Sequence, residues 1–147
     1  MKKLLWTLIL AYGMGWIEAE EVERLKSEII KKLVEILNPT HRREKIYVDK
    51  KCAPVDFSVE RVGEAVDDPS RADVILVCDL DHFAFDMQSL KTKKMVIALS
   101  YREYMRHKDV AAGAFFWQKG RPNIIINARY IQSRGIHLPP RYSAFVE

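Results

Sequence analysis

The chain has little of the punctuation from which many enzyme and cofactor signatures are built. It holds six glycines, never spaced as G-x-G-x-x-G or G-x-x-x-x-G-K, so neither a dinucleotide-binding turn nor a phosphate-cradling loop is encoded. No G-x-S-x-G occurs, which excludes the nucleophile elbow of a Ser/His/Asp hydrolase; Ser133-Arg134-Gly135 reads as a helix end instead. Cysteine is confined to Cys52 and Cys78, with no C-x-x-C redox pair. The four histidines, His41, His82, His107 and His137, stand singly, and two cysteines without histidines at ligand spacing make a poor zinc site. Charge of one sign is also scarce: 24 Lys+Arg stand against 20 Asp+Glu, and the net +4 is spread without long basic blocks. That is a solvated surface rather than a polyanion footprint. These absences lead to an expectation of no cofactor, no metal, no catalytic residue and no nucleic-acid partner.

What is present fits one domain. The 147 residues are 48% hydrophobic and 30% charged, enough for a single core and too few for two. The opening MKKLLWTLILAYGMGWIEAEE places two lysines before an apolar run from Leu4 to Ile17, then Ala19 ahead of an acidic stretch. Charged end, short apolar centre and small residue at the cut make a secretory signal over residues 1–19, with the domain at 20–147 starting near Glu20. An uncleaved anchor or a buried first helix are the alternatives, although the apolar run is short against the roughly 20 residues that span a bilayer. Export to the periplasm would let the cysteines oxidise.

Between Glu20 and Leu37, Val22, Leu25, Ile29, Leu33, Ile36 and Leu37 recur at helical spacing, and Asn38-Pro39 ends the helix. Lys45–Asp49 reads as a short strand and Phe57–Val62 as a weaker one. Ala72–Cys78 and Met95–Leu99 are unbroken apolar runs, the mark of strands covered on both faces. Asp81–Leu90 has room for a short helix and a lysine-rich turn. Ser100 caps a helix to about Lys108, with Glu103 in capping-box register. Gly113–Asn127 reads as a hairpin turning at Lys119-Gly120-Arg121-Pro122, and Asn127 caps a last helix that Gly135 ends. The order predicts an α/β single-domain sandwich with a mixed, mostly parallel sheet and a C-terminal antiparallel hairpin. If the strands before Cys52 and Cys78 are parallel neighbours, both thiols leave the sheet at one edge within disulfide reach. Two independent buried thiols are the other reading.

Two stretches carry candidate chemistry. VILVCDLDHFAFD ends an apolar strand in Asp79-x-Asp81 and resembles the first motif of haloacid-dehalogenase-type phosphotransferases, and MVIALS ending in Ser100 imitates their second. That mechanism also needs a later acidic pair for magnesium, and after Ser100 the acids Glu103, Asp109 and Glu147 form none. A small-solute receptor working with a transporter would use the same strand ends, Asp79, Asp81 and Ser100, for its ligand. AFFWQKGRPNIIIN puts Phe115, Phe116 and Trp117 in a row before Arg121. On a strand, Phe115 and Trp117 share one face and Phe116 takes the other, so a base-stacking platform would have two rings at most. A partner-facing hairpin using Phe115, Phe116, Trp117 and Arg121 is one reading, and a hairpin wholly in the core is the other.

GAFFWQKGRPNIIINARYIQSRGIHLP resembles the closing segment of the YfiR-like periplasmic proteins, with its aromatic strand, turn, apolar strand ending in asparagine, helix, and Gly-hydrophobic-x-hydrophobic. The signal peptide, proline-closed helix and strand with a cysteine fall upstream in the same order. The resemblance implies a non-enzymatic periplasmic α/β domain, often a homodimer, that regulates an inner-membrane signalling protein such as a diguanylate cyclase, with disulfides tuning that role. Two positions depart from the pattern: Asn38-Pro39 stands where Trp-Pro often closes the first helix, and Cys52 lies beyond its strand.

Overall fold

The helical spacing that begins at Val22 belongs to α1 (Lys2–Leu37), in a computed structural model that describes residues 2–38, 40, 42–82 and 94–147, with side chains from Glu20 onward. Its packed stripe is Ile30, Leu33, Val34 and Leu37, all buried. Two polar residues on the same helix are buried with partners. Lys26 pairs with Asp56, and Ser27 accepts from the Ser58 N–H at 2.8 Å, which fastens the segment before the next helix onto α1. Among the described residues no helix is long and apolar enough to cross a membrane.

Six strands follow: β1 (Lys45–Val48), β2 (Glu64–Ala65), β3 (Val74–Val77), β4 (Met95–Ala98), β5 (Ala111–Gln118) and β6 (Arg121–Ile126). They lie in the order β2-β1-β3-β4-β5-β6. Every pairing is parallel except the β5–β6 hairpin. The apolar runs are β3 and β4, and all their side chains are buried. Alternation sends Val74, Leu76, Met95 and Ile97 to the face covered by α1, and Ile75, Val77, Val96 and Ala98 to the other. The first face is completed by α2 (Val59–Val62) and α4 (Ala128–Ser133), the second by Tyr104 of α3 (Tyr101–Arg106) and by Leu80.

The hairpin faces are set by an irregularity. Register shifts between Val96 and Ile97, which pair with Ala111 and Gly113, so one extra residue resets the alternation of β5. Gly113 sits there because an added Cβ would collide with the Ile125 carbonyl. After the shift, Phe115 and Trp117 face α1 with Ile124 and Ile126, while Phe116 and Ile125 face α3. The turn is tighter than the sequence suggests. Only Lys119 and Gly120 occupy it, at φ 55° and 74°, and Arg121 and Pro122 already belong to β6. Positive φ at both central positions is the two-residue turn whose twist suits a hairpin.

One expectation fails. Phe57–Val62 is not a strand: Val59–Val62 forms one helical turn, and the edge strand is the two-residue Glu64–Ala65 that follows. Phe57 and Val62 both enter the α1-side core, and exposed Arg61 falls where strict alternation would require an apolar residue. The helix expected within Asp81–Leu90 lies largely outside the described residues.

Candidate functional site

Parallel strands all deliver their carboxyl ends to one edge, and there the predicted residues gather. Asp49, immediately after β1, is fully buried at its side chain. A buried carboxylate is tolerated only if its oxygens are satisfied. It accepts from the backbone N–H groups of Lys51 at 3.0 Å, Cys78 at 3.0 Å and Asp79 at 2.8 Å, and His82 Nε2 stands 3.1 Å away. The same charge, after burial, helps push the Tyr47 phenol above its ordinary value.

A second buried carboxylate reaches this segment from α3, the helix that follows β4. Ser100 caps α3 by accepting from the Glu103 N–H at 3.1 Å, which is half of the expected capping box. The other half is absent, because the Glu103 carboxylate accepts from Leu80 N–H at 2.6 Å instead. Behind it, His107 Nε2 is buried 3.2 Å from Asp81 and 3.6 Å from Glu103, close enough for ion pairing but not aligned for a hydrogen bond. Arg106 also pairs with Asp81.

Cys52 and Cys78 are joined in a disulfide, with Cα atoms 5.3 Å apart. The reason is the topology read from the sequence. β1 and β3 are parallel neighbours, Cys52 closes the 3-10 turn after β1, and Cys78 is the residue after β3. Asp79, Asp81 and Ser100 therefore stand on an edge held by a covalent bond and two buried carboxylates. The structure turns the Asp81 carboxylate toward α3, makes Ser100 a helix cap, and uses the backbone of Asp79 as a donor. Among the described residues no group of three or more His, Cys, Asp and Glu side chains could hold a metal ion.

The hairpin residues separate by depth. Phe115 is buried in the α1-side core. Trp117 is half-buried on the same side, with the Lys26 ammonium 5.0 Å from its ring. Phe116 is half-buried on the opposite face, where its ring lies 6.0 Å from Tyr101. Arg121 is exposed at the turn. Tyr101 and Met105, one helical turn apart on α3, are 48% and 42% exposed. Two such side chains beside a half-covered phenylalanine make an apolar surface of the kind that interfaces use.

Sequence reasoning missed Asp49 and the outward stripe of α3. A lone aspartate after a strand carries no pattern. Tyr101 and Met105 do share helical spacing, but spacing alone does not say which face of so short a helix is covered. No family model, curated protein or solved structure matches the chain.

Proposed function

We propose that the chain is an exported, non-enzymatic regulatory domain that works in the periplasm by holding a membrane signalling protein. The grip is the face formed by Tyr101 and Met105 of α3 with Phe116 of the hairpin, and exposed Arg121 at the hairpin turn is assigned to the same contact. The observation that carries this reading is the exposed Tyr101 ring packed on half-buried Phe116. Exposed aromatics are among the residue types that dominate interface energy. The Cys52–Cys78 bond supports the oxidising compartment, since such bonds persist mainly outside the cytosol. A phosphotransferase is the weaker reading, because Asp81 is engaged by Arg106 and His107.

Capture from crosslinked envelope fractions tests the proposal. Wild-type protein should retain a membrane partner, and Tyr101→Ser should lose it while melting as wild type does. Equal capture by both proteins, or recovery only from the cytosol, contradicts it. Capture of a second copy of the chain alone makes this face a homodimer contact.

A further inference from the structure

Two clefts adjoin at the edge of the sheet where the parallel strands begin, and they differ in charge. In the larger, Glu44 and Asp73 precede the neighbouring strands β1 and β3 and form a carboxyl pair, with Arg42 and Arg134 lining the same space. Burial, then the hydrogen bond and charge of Asp73, raise the Glu44 carboxyl above its ordinary value. Burial pushes Asp73 upward as well. The Lys45 backbone N–H, the Glu44 hydrogen bond and Arg42 together outweigh that and hold it below its ordinary value. Arg42 stands 3.6 Å from Asp73 and 3.9 Å from Glu44. Two guanidiniums thus face two carboxyls, and this cleft is balanced within itself.

The smaller cleft, of about 270 Å³, is not balanced. It opens between α1 and α2 over buried Val34 and Val62. Lys31 lines it from α1, Arg61 from α2, and Arg43 from the segment before β1, and all three are exposed. Arg43 is anchored, because its Nη2 donates to the carbonyls of Gly63 at 3.1 Å and Glu60 at 3.4 Å. That ties one nitrogen of the fork and leaves the rest of its donors. Among the described residues, neither Lys31 nor Arg61 stands within ion-pair reach of a carboxylate. The acids lining this cleft are Glu35 and Glu44. Glu44 is already engaged by Asn38, Asp73 and Arg42, so Glu35 alone offsets Lys31, Arg43 and Arg61. Two positive charges are left unmatched.

The placement of the three cations narrows the ligand. They come from three separate elements, which suits a tetrahedral anion that offers several oxygens; a carboxylate has two oxygens in one plane and a single charge. Guanidiniums match phosphate oxygens in geometry as well as charge. A phosphate monoester carries close to two negative charges near neutral pH, the excess that this cleft presents.

We propose that the cleft between α1 and α2 binds a phosphate monoester, its phosphoryl oxygens taken by Lys31, Arg43 and Arg61. The ester is that of a soluble small molecule or of a lipid headgroup. The site lies away from the α3 and hairpin face, so either can fail without the other. Isothermal titration of the full chain with glycerol 3-phosphate should give saturable binding at one site per chain, weakening as salt is added. Acetate and glycerol, with one charge and none, should each bind at least about tenfold more weakly. Lys31→Gln and Arg61→Gln change exposed side chains and should each weaken the ester by about tenfold with melting unchanged. Arg121→Gln at the hairpin should bind as wild type. Vesicles containing phosphatidic acid separate the two sources. Co-flotation that Arg61→Gln abolishes makes the ester a lipid headgroup, and no flotation, or flotation indifferent to Arg61, makes it a soluble molecule. Absence of saturable binding of glycerol 3-phosphate overturns the proposal. So does equal affinity for acetate, or wild-type binding by both Lys31→Gln and Arg61→Gln.

Discussion

Asp49, just after β1, and Glu103, in the first turn of α3, hold the same stretch of chain: the first accepts from the N–H groups of Cys78 and Asp79, the second from Leu80 N–H at 2.6 Å. Both carboxylates are buried. The segment after β3 is thus held through its backbone as well as through the Cys78 disulfide and the Asp81–Arg106 ion pair.

Removing either carboxylate should therefore cost more than removing the aspartates beside it. Asp49→Ala strands buried donors without an acceptor and should lose roughly 3–5 kcal/mol. Asp79→Ala, which leaves the backbone bond to Asp49 intact, should stay within about 1 kcal/mol of wild type. Urea denaturation of the two variants checks this, and equal losses would contradict the clamp.

The disulfide makes a separate prediction. It closes a loop of 26 residues in sequence separation, and its removal by Cys52→Ala with Cys78→Ala should cost roughly 2–4 kcal/mol. Labelling of native protein after unreduced denaturation should find no free thiol. Two thiols per chain would mean that the bond does not form.

The rings on the two sides of the hairpin, Phe115 in the core and Tyr101 of α3 against Phe116, should respond differently. Phe115→Ser empties a core site and should cost about 3–5 kcal/mol. Tyr101→Ser, the change at the ring that packs on Phe116, should leave thermal unfolding within about 0.5 kcal/mol of wild type. If Tyr101→Ser unfolds the chain, that face is architecture and not a grip.

Much of this arrangement is legible in the sequence. β3 and β4 stand out because strands buried on both faces must be apolar throughout; the sequence makes a Cys52–Cys78 bond conditional on β1 and β3 being parallel neighbours, and the structure supplies that pairing. Phe57–Val62 reads as a strand in the sequence because a single helical turn is too short to establish a period. Asp49 could not be found, since its donors lie 29 and 30 residues onward. The Glu44–Asp73 pair was hidden for the same reason. Each acid merely precedes a strand, and only the register Ile46 to Val74 brings them together.

That pair sets a pH dependence. The Glu44 carboxyl is raised by burial first and then by Asp73, so folding favours its protonated form. Its contribution is fully present below the ordinary value of 4.5 and is lost as the pH rises through the value it takes in the fold. Glu44→Gln imitates the protonated form and should melt above wild type at neutral pH, by a margin that closes as the pH falls toward 4.5. A constant margin across that range would contradict the assignment. Asp73, held low, has the opposite sign: its contribution is present above its ordinary 3.8 and is lost on acidification.

The most direct test of the proposed role is a photo-crosslinking side chain placed at Tyr101 in intact cells, with the same group at Arg134 on the other edge as the comparison. The account predicts an adduct with an inner-membrane protein from position 101, formed outside the cytoplasm and absent from position 134. No adduct at position 101, or the same adducts from both positions, would contradict it.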